Sequence, residues 1–146
     1  MFKQRIILAG VGGQGTLTAT NLLAFMALDQ NIPVTSGEIH GMAQRGGVVE
    51  STLLLGGYLS PRISLAEADI LLGFEPLETL RALPYLKPGG LVVSNSEPTL
   101  PVAVNLGQET YPSLETVQDR VSRCAGEMHV IPCRTLGIQA GTVQSA

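Results

Sequence analysis

Eleven residues near the amino terminus indicate the fold class: Ile6-Ile7-Leu8-Ala9-Gly10-Val11-Gly12-Gly13-Gln14-Gly15-Thr16. Its first four residues form a continuous apolar run, which is typical of a short strand buried on both faces. Glycines then follow the spacing GxGxxG over residues 10–15, and an Ala- and Leu-rich segment extends to residue 30. A buried strand, a glycine-rich turn and a helix in this order indicate the first unit of an α/β domain.

Strands and helices are expected to alternate along the rest of the chain. Residues 37–47 have no regular period, residues 87–90 read as a turn, and residues 96–112 look irregular. A last helix is expected to begin near residue 136. The sequence therefore predicts an α/β fold, a single three-layer Rossmann-like domain over residues 1–146 with a mostly parallel sheet. The predicted strands are 6–9, 33–36, 48–55, 70–74, 91–95 and 128–131, and the predicted helices are 16–30, 76–83 and 114–124.

Composition narrows the class of function. Charged residues make up 14% of the 146 residues and the net charge is −3. This balance lacks the basic surface of a nucleic-acid binder, and no apolar run is long enough to span a membrane. So little charge predicts a buried subunit interface, and an isolated chain with such a surface is expected to pair with itself. The first helix is expected to be well buried, because large apolar residues surround it: Leu17, Leu22, Leu23, Phe25, Met26 and Leu28.

The two cysteines indicate a reducing compartment. Cys124 and Cys133 lie nine residues apart and fit neither a disulfide framework nor a CxxC pair. No ligand set for zinc or an iron–sulfur cluster is evident, so no metal site is expected on this chain. The amino terminus leads into a strand rather than a signal peptide. The predicted location is the cytoplasm.

The glycine-rich turn is a candidate anion site. Glycines permit close backbone approach, and the following helix presents free N–H groups to a phosphate or carboxylate. The alternative is a tight turn that binds nothing. A ribose-binding acid is missing from residues 33–36, since the nearest one, Glu38, lies beyond Gly37, and this weakens a dehydrogenase interpretation. A P-loop lysine is missing as well. The candidate residues are Gly10, Gly12, Gly13, Gln14, Gly15 and Thr16.

The segment over residues 37–47 is the second candidate site. Arg45 carries a guanidinium suited to a carboxylate or phosphate, His40 titrates near neutral pH, and Glu38 is placed to orient either one. These three are the candidate catalytic residues. The alternatives are an ion pair that staples the loop and a hydrogen-bonded histidine. Such a polar, glycine-rich segment in an apolar chain favours a site or an interface. Its candidate loop and interface residues are Gly41, Met42, Gln44, Gly46 and Gly47.

Four blocks of sequence together resemble one family. They are residues 10–15, residues 38–47, Gly73-Phe74-Glu75-Pro76-Leu77-Glu78 and Leu86-Lys87-Pro88-Gly89-Gly90. The resemblance is to the gamma-type domain of 2-oxoacid:ferredoxin oxidoreductases. The wording His40-Gly41-Met42-Ala43-Gln44 before the Arg-Gly-Gly is closest to the branch of indolepyruvate:ferredoxin oxidoreductase beta subunits. Members of this family typically continue for one or two further helices, so the chain is expected to be shortened at its carboxyl end.

The resemblance implies a part in the CoA-dependent oxidative decarboxylation of an aryl 2-oxoacid such as indolepyruvate. It implies a larger partner subunit that holds thiamine diphosphate and iron–sulfur clusters, with coenzyme A as acyl acceptor and ferredoxin as electron acceptor. This chain is expected to bind no cofactor alone and to contribute Arg45 at the inter-subunit cleft. Three alternatives stay open: a gamma subunit of a pyruvate/ketoisovalerate-type enzyme, a stand-alone protein that binds NAD or FAD, and a non-enzymatic scaffold with a Rossmann-like shape.

Overall fold

A six-stranded sheet forms the middle layer of the domain. The computed structural model describes residues 2–40, 47–100, 102–108 and 110–141. The strands are β1 Gln4–Val11, β2 Val34–His40, β3 Val48–Leu55, β4 Ala68–Gly73, β5 Leu86–Asn95 and β6 Glu127–Ile131. The sheet order is β2-β3-β1-β4-β5-β6, and five strands run in one direction while β3 runs against them. This confirms the mostly parallel sheet.

Helices cover both faces of this sheet, which confirms the three-layer fold. The helices are α1 Thr16–Asp29, α2 Pro76–Ala82, α3 Val102–Asn105, α4 Leu114–Ser122 and α5 Cys133–Gln139, with a short 3-10 helix at Leu83–Tyr85. The alternating side chains of β1 point to opposite faces. Ile6 and Leu8 pack towards α1, and Ile7 and Ala9 pack towards α2 and α4. None of the helices in the described ranges is both long and apolar enough to cross a membrane.

Three segments that the sequence predicts outside strands lie within strands. Gly10 and Val11 belong to β1 rather than to the turn, because they pair with Val49 and Val48 of β3. Residues 37–40 belong to β2, since antiparallel pairing to β3 extends as far as His40. Residues 87–90 lie within β5 rather than in a turn, at a shift of register against β4. In each case pairing with a neighbouring strand overrides the local preference of glycine or proline.

The prediction of a well-buried first helix is wrong. Five large apolar side chains of α1 are exposed, and Phe25 keeps 70% of its surface in solvent. The residues of α1 that are buried are Thr16, Thr20 and Ala27. The physical reason is that α1 contacts the sheet along one side only, against β1, β2 and β3, and nothing in the described chain covers its outer side. The exposed side chains are Leu17, Leu22, Phe25, Met26 and Leu28.

Candidate functional site

The glycine-rich turn connects the carboxyl end of β1 to α1. Gly13 and Gly15 adopt positive φ angles of 99° and 85°, a region that other L-residues enter at a cost. Gly15 is the N-cap of α1 and, having no side chain, forms no side-chain cap hydrogen bond. The first-turn amides of α1 are therefore left for water or a ligand.

Gln14 ties this turn to the neighbouring strand. Its Oε1 accepts from the Val11 amide at 2.7 Å, and its Nε2 donates to the Phe74 carbonyl oxygen at 3.1 Å. The backbone passes so close here that a Cβ on Gly10 would lie 2.9 Å from the Phe74 Cβ. The Gln14 side chain thus fixes the turn by bonding to its own backbone and to the chain after β4. Contact of Gln14 with an anion stays a prediction.

A cavity of about 350 Å³ opens at the amino end of α1. Glu38 of β2, the glycine-rich turn and Thr16 all line this cavity. Thr16 is 3% exposed, and its Oγ1 has no hydrogen-bond partner in the described chain. The cavity therefore combines open helix amides, a buried hydroxyl and a carboxylate. Its lining residues are Val11, Gly12, Gly13, Gly15, Thr16, Leu17, Thr18, Glu38 and Val49.

The structure brings the two candidate segments to one edge of the sheet. The Gly12 amide donates to the Gly47 carbonyl oxygen at 2.8 Å, so the turn touches the carboxyl end of the second segment. The backbone of His40, at the other end of that segment, pairs with Val49 in β3. Five predicted residues between these ends lie outside the described residues: Gly41, Met42, Gln44, Arg45 and Gly46. The roles of all the predicted site residues stay predictions.

Sequence reasoning missed Ser51, which lies beneath α1 beside Glu38. Ser51 of β3 pairs with Glu38 on one side and Leu8 on the other, so all three side chains point to the α1 face. Ser51 is fully buried, and no partner for its Oγ occurs in the described residues. The available signal was the interruption of the apolar strand at residues 50–52.

It also missed a carboxylate network on the opposite face. Glu75 is fully buried at the N-cap of α2, where its Oε2 accepts from the Leu77 amide at 2.7 Å and the Glu78 amide at 3.1 Å. The Tyr111 hydroxyl donates to the Glu75 Oε1. Burial, together with this carboxylate, raises the pKa of Tyr111 above its usual range. The sequence signal was Glu75 directly before Pro76, an acceptor at the N-cap followed by proline at the first helical position.

Glu78 lies in the same network. Burial raises its pKa to about 7; Arg81 opposes this rise, and the Glu75 and Glu50 carboxylates add to it. The Glu78 side chain is 1% exposed and accepts from the Arg81 guanidinium at 2.6 Å. Burial also raises the pKa of Glu50. Glu78 therefore exchanges its proton near neutral pH.

Similarity to known proteins extends along nearly the whole chain. The sequence model of a family described as "Pyruvate ferredoxin/flavodoxin oxidoreductase" matches residues 5–146. The indolepyruvate oxidoreductase subunit IorB of Pyrococcus horikoshii is 43% identical over 148 residues, which cover 98% of this chain and 72% of that protein. The pyruvate/ketoisovalerate oxidoreductases common subunit gamma of Thermococcus kodakarensis is 32% identical over 91 residues, 60% of this chain and 49% of that protein.

The fold is shared with a solved structure. The pyruvate oxidoreductase subunit PORC of Thermotoga maritima aligns with a TM-score of 0.65 at 18% identity, and the alignment covers 95% of this chain and 67% of that one. At this identity the likeness concerns the fold alone. It agrees with the three-layer architecture described above.

Proposed function

Because the chain belongs to the pyruvate ferredoxin/flavodoxin oxidoreductase family, we propose that it is the small subunit of a 2-oxoacid:ferredoxin oxidoreductase of the indolepyruvate type. The observation that carries this proposal is the 43% identity to an IorB subunit over 98% of the chain. The gamma-subunit alternative has a shorter and weaker similarity in its favour. We also propose residues 1–146 as one gamma-type domain.

The proposed reaction cleaves an aryl 2-oxoacid to carbon dioxide and an acyl group. The acyl group passes to coenzyme A, and two electrons pass to ferredoxin. Thiamine diphosphate in a larger partner subunit supplies the carbanion stabilisation that this cleavage needs. In the described part of this chain no three His, Cys, Asp or Glu side chains are placed to hold a metal, and Cys124 and Cys133 are separate free thiols. We therefore assign the iron–sulfur clusters to the partner, with the complex in the cytoplasm.

This chain contributes one wall of the inter-subunit cleft. The edge that carries Gly12 and Gly47 presents the open amides of α1, the Thr16 hydroxyl and Glu38. Arg45 and His40 complete this edge in the proposal, with Arg45 pairing to a carboxylate or phosphate of the substrate, of coenzyme A or of the partner. The exposed apolar side of α1 continues directly from this edge, since Leu17 lines the cavity and is itself exposed. An uncovered apolar surface beside the cleft supports docking to a partner.

Reconstitution with the larger subunit tests the proposal. The parent complex reduces ferredoxin when given indolepyruvate and coenzyme A. The Arg45→Ala variant lowers turnover at least about tenfold, since a bidentate charged contact is lost. Phe25→Glu on α1 weakens co-purification of the two subunits, whereas Leu59→Glu, at a fully exposed leucine away from α1, does not. Full turnover of the Arg45→Ala complex, together with full assembly of the Phe25→Glu complex, would exclude this edge and α1 from the interface.

A second candidate is a stand-alone protein that binds NAD or FAD. It is favoured by the position of Glu38, which belongs to β2 and lines the cavity of the glycine-rich turn. A carboxylate in this position can accept hydrogen bonds from ribose hydroxyls. Calorimetric titration of the isolated chain separates the two candidates. Micromolar binding of NAD or FAD that Glu38→Gln abolishes supports the second candidate, and no binding supports the subunit.

A further inference from the structure

A second cavity lies where the parallel strands end. It measures about 290 Å³ and opens on the α1 face at the carboxyl ends of β4, β5 and β6. From β1 the chain continues into α1 on one face, whereas from β4 it continues into α2 on the other. The helices therefore diverge between these two strands, and open α/β sheets bind their ligands in the crevice that such a divergence leaves.

Apolar side chains dominate the walls of this cavity. Leu72 belongs to β4 and Phe74 directly follows that strand, while Val93 comes from β5 and Ile131 from β6. Cys133 also lines the cavity, and burial raises the pKa of its thiol. Within the described chain no charged side chain lines the cavity. An anionic or cationic group placed here would lose its hydration without a compensating partner, so the space favours a neutral ligand.

Two amide side chains fix the polar part of the wall. Gln14 Nε2 and Asn95 Nδ2 each donate to the Phe74 carbonyl oxygen at 3.1 Å. Asn95 Oδ1 accepts from the Glu97 amide at 3.1 Å and the Cys133 amide at 3.2 Å. These bonds hold the amides in place before any ligand arrives. One hydrogen of the Gln14 amide remains as a donor for a ring nitrogen or carbonyl.

We propose that this cavity binds a neutral aromatic heterocycle. Its volume lies near the lower end of small-molecule sites, at about 300 Å³, which suits one ring system rather than a whole cofactor. The Phe74 ring offers an aromatic partner, and aromatic pairs gain beyond simple burial. Such a ring comes either from the side chain of a substrate or from the base of a cofactor. Ligand binding to this cavity is a property of the isolated chain, so its test is independent of the function proposed above.

Indole and adenosine serve as the two probes, one for each source. The chain contains no tryptophan, so indole fluorescence is read without protein background. Binding to the isolated full chain blue-shifts the emission, with a dissociation constant of about 1 mM or tighter for a ligand of this size. Adenosine binding is measured by its displacement of indole. Tighter binding of indole points to a substrate side chain, and tighter binding of adenosine points to a cofactor base.

Thiol modification reports occupancy without any change to the cavity. Cys133 lines the cavity, whereas Cys124 is exposed elsewhere. Saturating indole or adenosine slows the reaction of Cys133 with a disulfide reagent at least about fivefold, because the bound ring covers the thiol that must attack. Cys124 in the same sample keeps its rate and is the internal control. Unchanged Cys133 reactivity with both probes, each at about 5 mM, would overturn the proposal.

A cavity-filling variant gives the independent check. Val93→Phe places a ring where the ligand would bind and weakens indole binding at least about tenfold. Val102→Phe makes the same change at an exposed position of α3 and leaves binding within about twofold. Thermal unfolding of both variants establishes that they are folded, since overpacking destabilises some cores. Equal indole affinity in the folded Val93→Phe variant and the parent would place the ligand elsewhere.

Discussion

Helices α1 and α2 lie on opposite faces of one sheet and differ in how completely the domain covers their side chains. On α1 the large apolar residues Leu22, Phe25 and Met26 are exposed, while Thr16 and Thr20 are buried. On α2 the acidic Glu78 is buried, and the buried Glu75 caps its amino end. The difference shows that α2 is fixed by contacts within the domain, whereas the outer side of α1 is suited to contacts beyond it.

The largest expected effect tests the internal network of α2. Glu75→Ala removes the cap of α2 and the acceptor of the Tyr111 hydroxyl, and it should lower the free energy of unfolding by about 4 kcal/mol. Urea denaturation measures the change. Ser113→Ala is the matched control, because Ser113 caps α4 at an exposed position and its loss should cost about 1 kcal/mol. Equal losses in the free energy of unfolding for Glu75→Ala and Ser113→Ala would show that burial adds nothing to the effect of a helix cap.

The next effect is a dependence on pH. The pKa of Glu78 is raised to about 7 in the folded chain, so its stabilising effect is full below its ordinary value and is lost as the pH rises through 7. Glu78→Gln cannot ionise. Its stability relative to the parent should therefore increase by on the order of 3 kcal/mol between about pH 5 and pH 8. Denaturant titrations across this range measure the difference, and a slope of opposite sign would mean that the Arg81 pair dominates.

A smaller effect concerns the start of α1. Gly15 holds a φ of 85°, and a Cβ there would meet no neighbouring atom within 4 Å. Gly15→Ala should therefore lower stability by about 1–2 kcal/mol through backbone strain alone. Gly15→Asn should lose less, because asparagine tolerates this conformation. Thermal unfolding distinguishes the two, and an alanine variant as stable as the parent would argue against strain at this cap.

The smallest effect is expected on the outer side of α1. Phe25→Glu should change the free energy of unfolding of the isolated chain by no more than about 0.5 kcal/mol, because the ring is 70% exposed. Ala27→Glu, two residues further along the same helix, should cost several kcal/mol, since Ala27 is 7% exposed and its substitution buries a charge. Urea denaturation compares them. If Phe25→Glu lowered the free energy of unfolding more than Ala27→Glu, the outer side of α1 would be part of the core.

The sequence pattern predicts where strands and helices occur better than it predicts what packs against them. A continuous apolar run locates the core of β1, and two apolar runs around the polar residues 50–52 locate β3 at residues 48–55. The GxGxxG spacing locates the turn before α1. The sequence does not show which strands pair, so it predicts an irregular segment at residues 37–40, although they extend β2 along β3. For the candidate site, Glu38 was identified but its place in the cavity of the turn was not, because that depends on the antiparallel strand between β2 and β1.

Local sequence patterns are sufficient to predict the α/β class, the turn before α1 and the family resemblance, because each pattern consists of residues that are close together in the chain. Packing across the sheet establishes which side chains are buried: Glu75 and Glu78 are inside, whereas Phe25 and Met26 are outside. Burial depends on what packs against a helix, and α1 has a sheet on one side only. The composition gives the amount of apolar surface in the chain, whereas the packing of helices on the sheet determines which of that surface is buried.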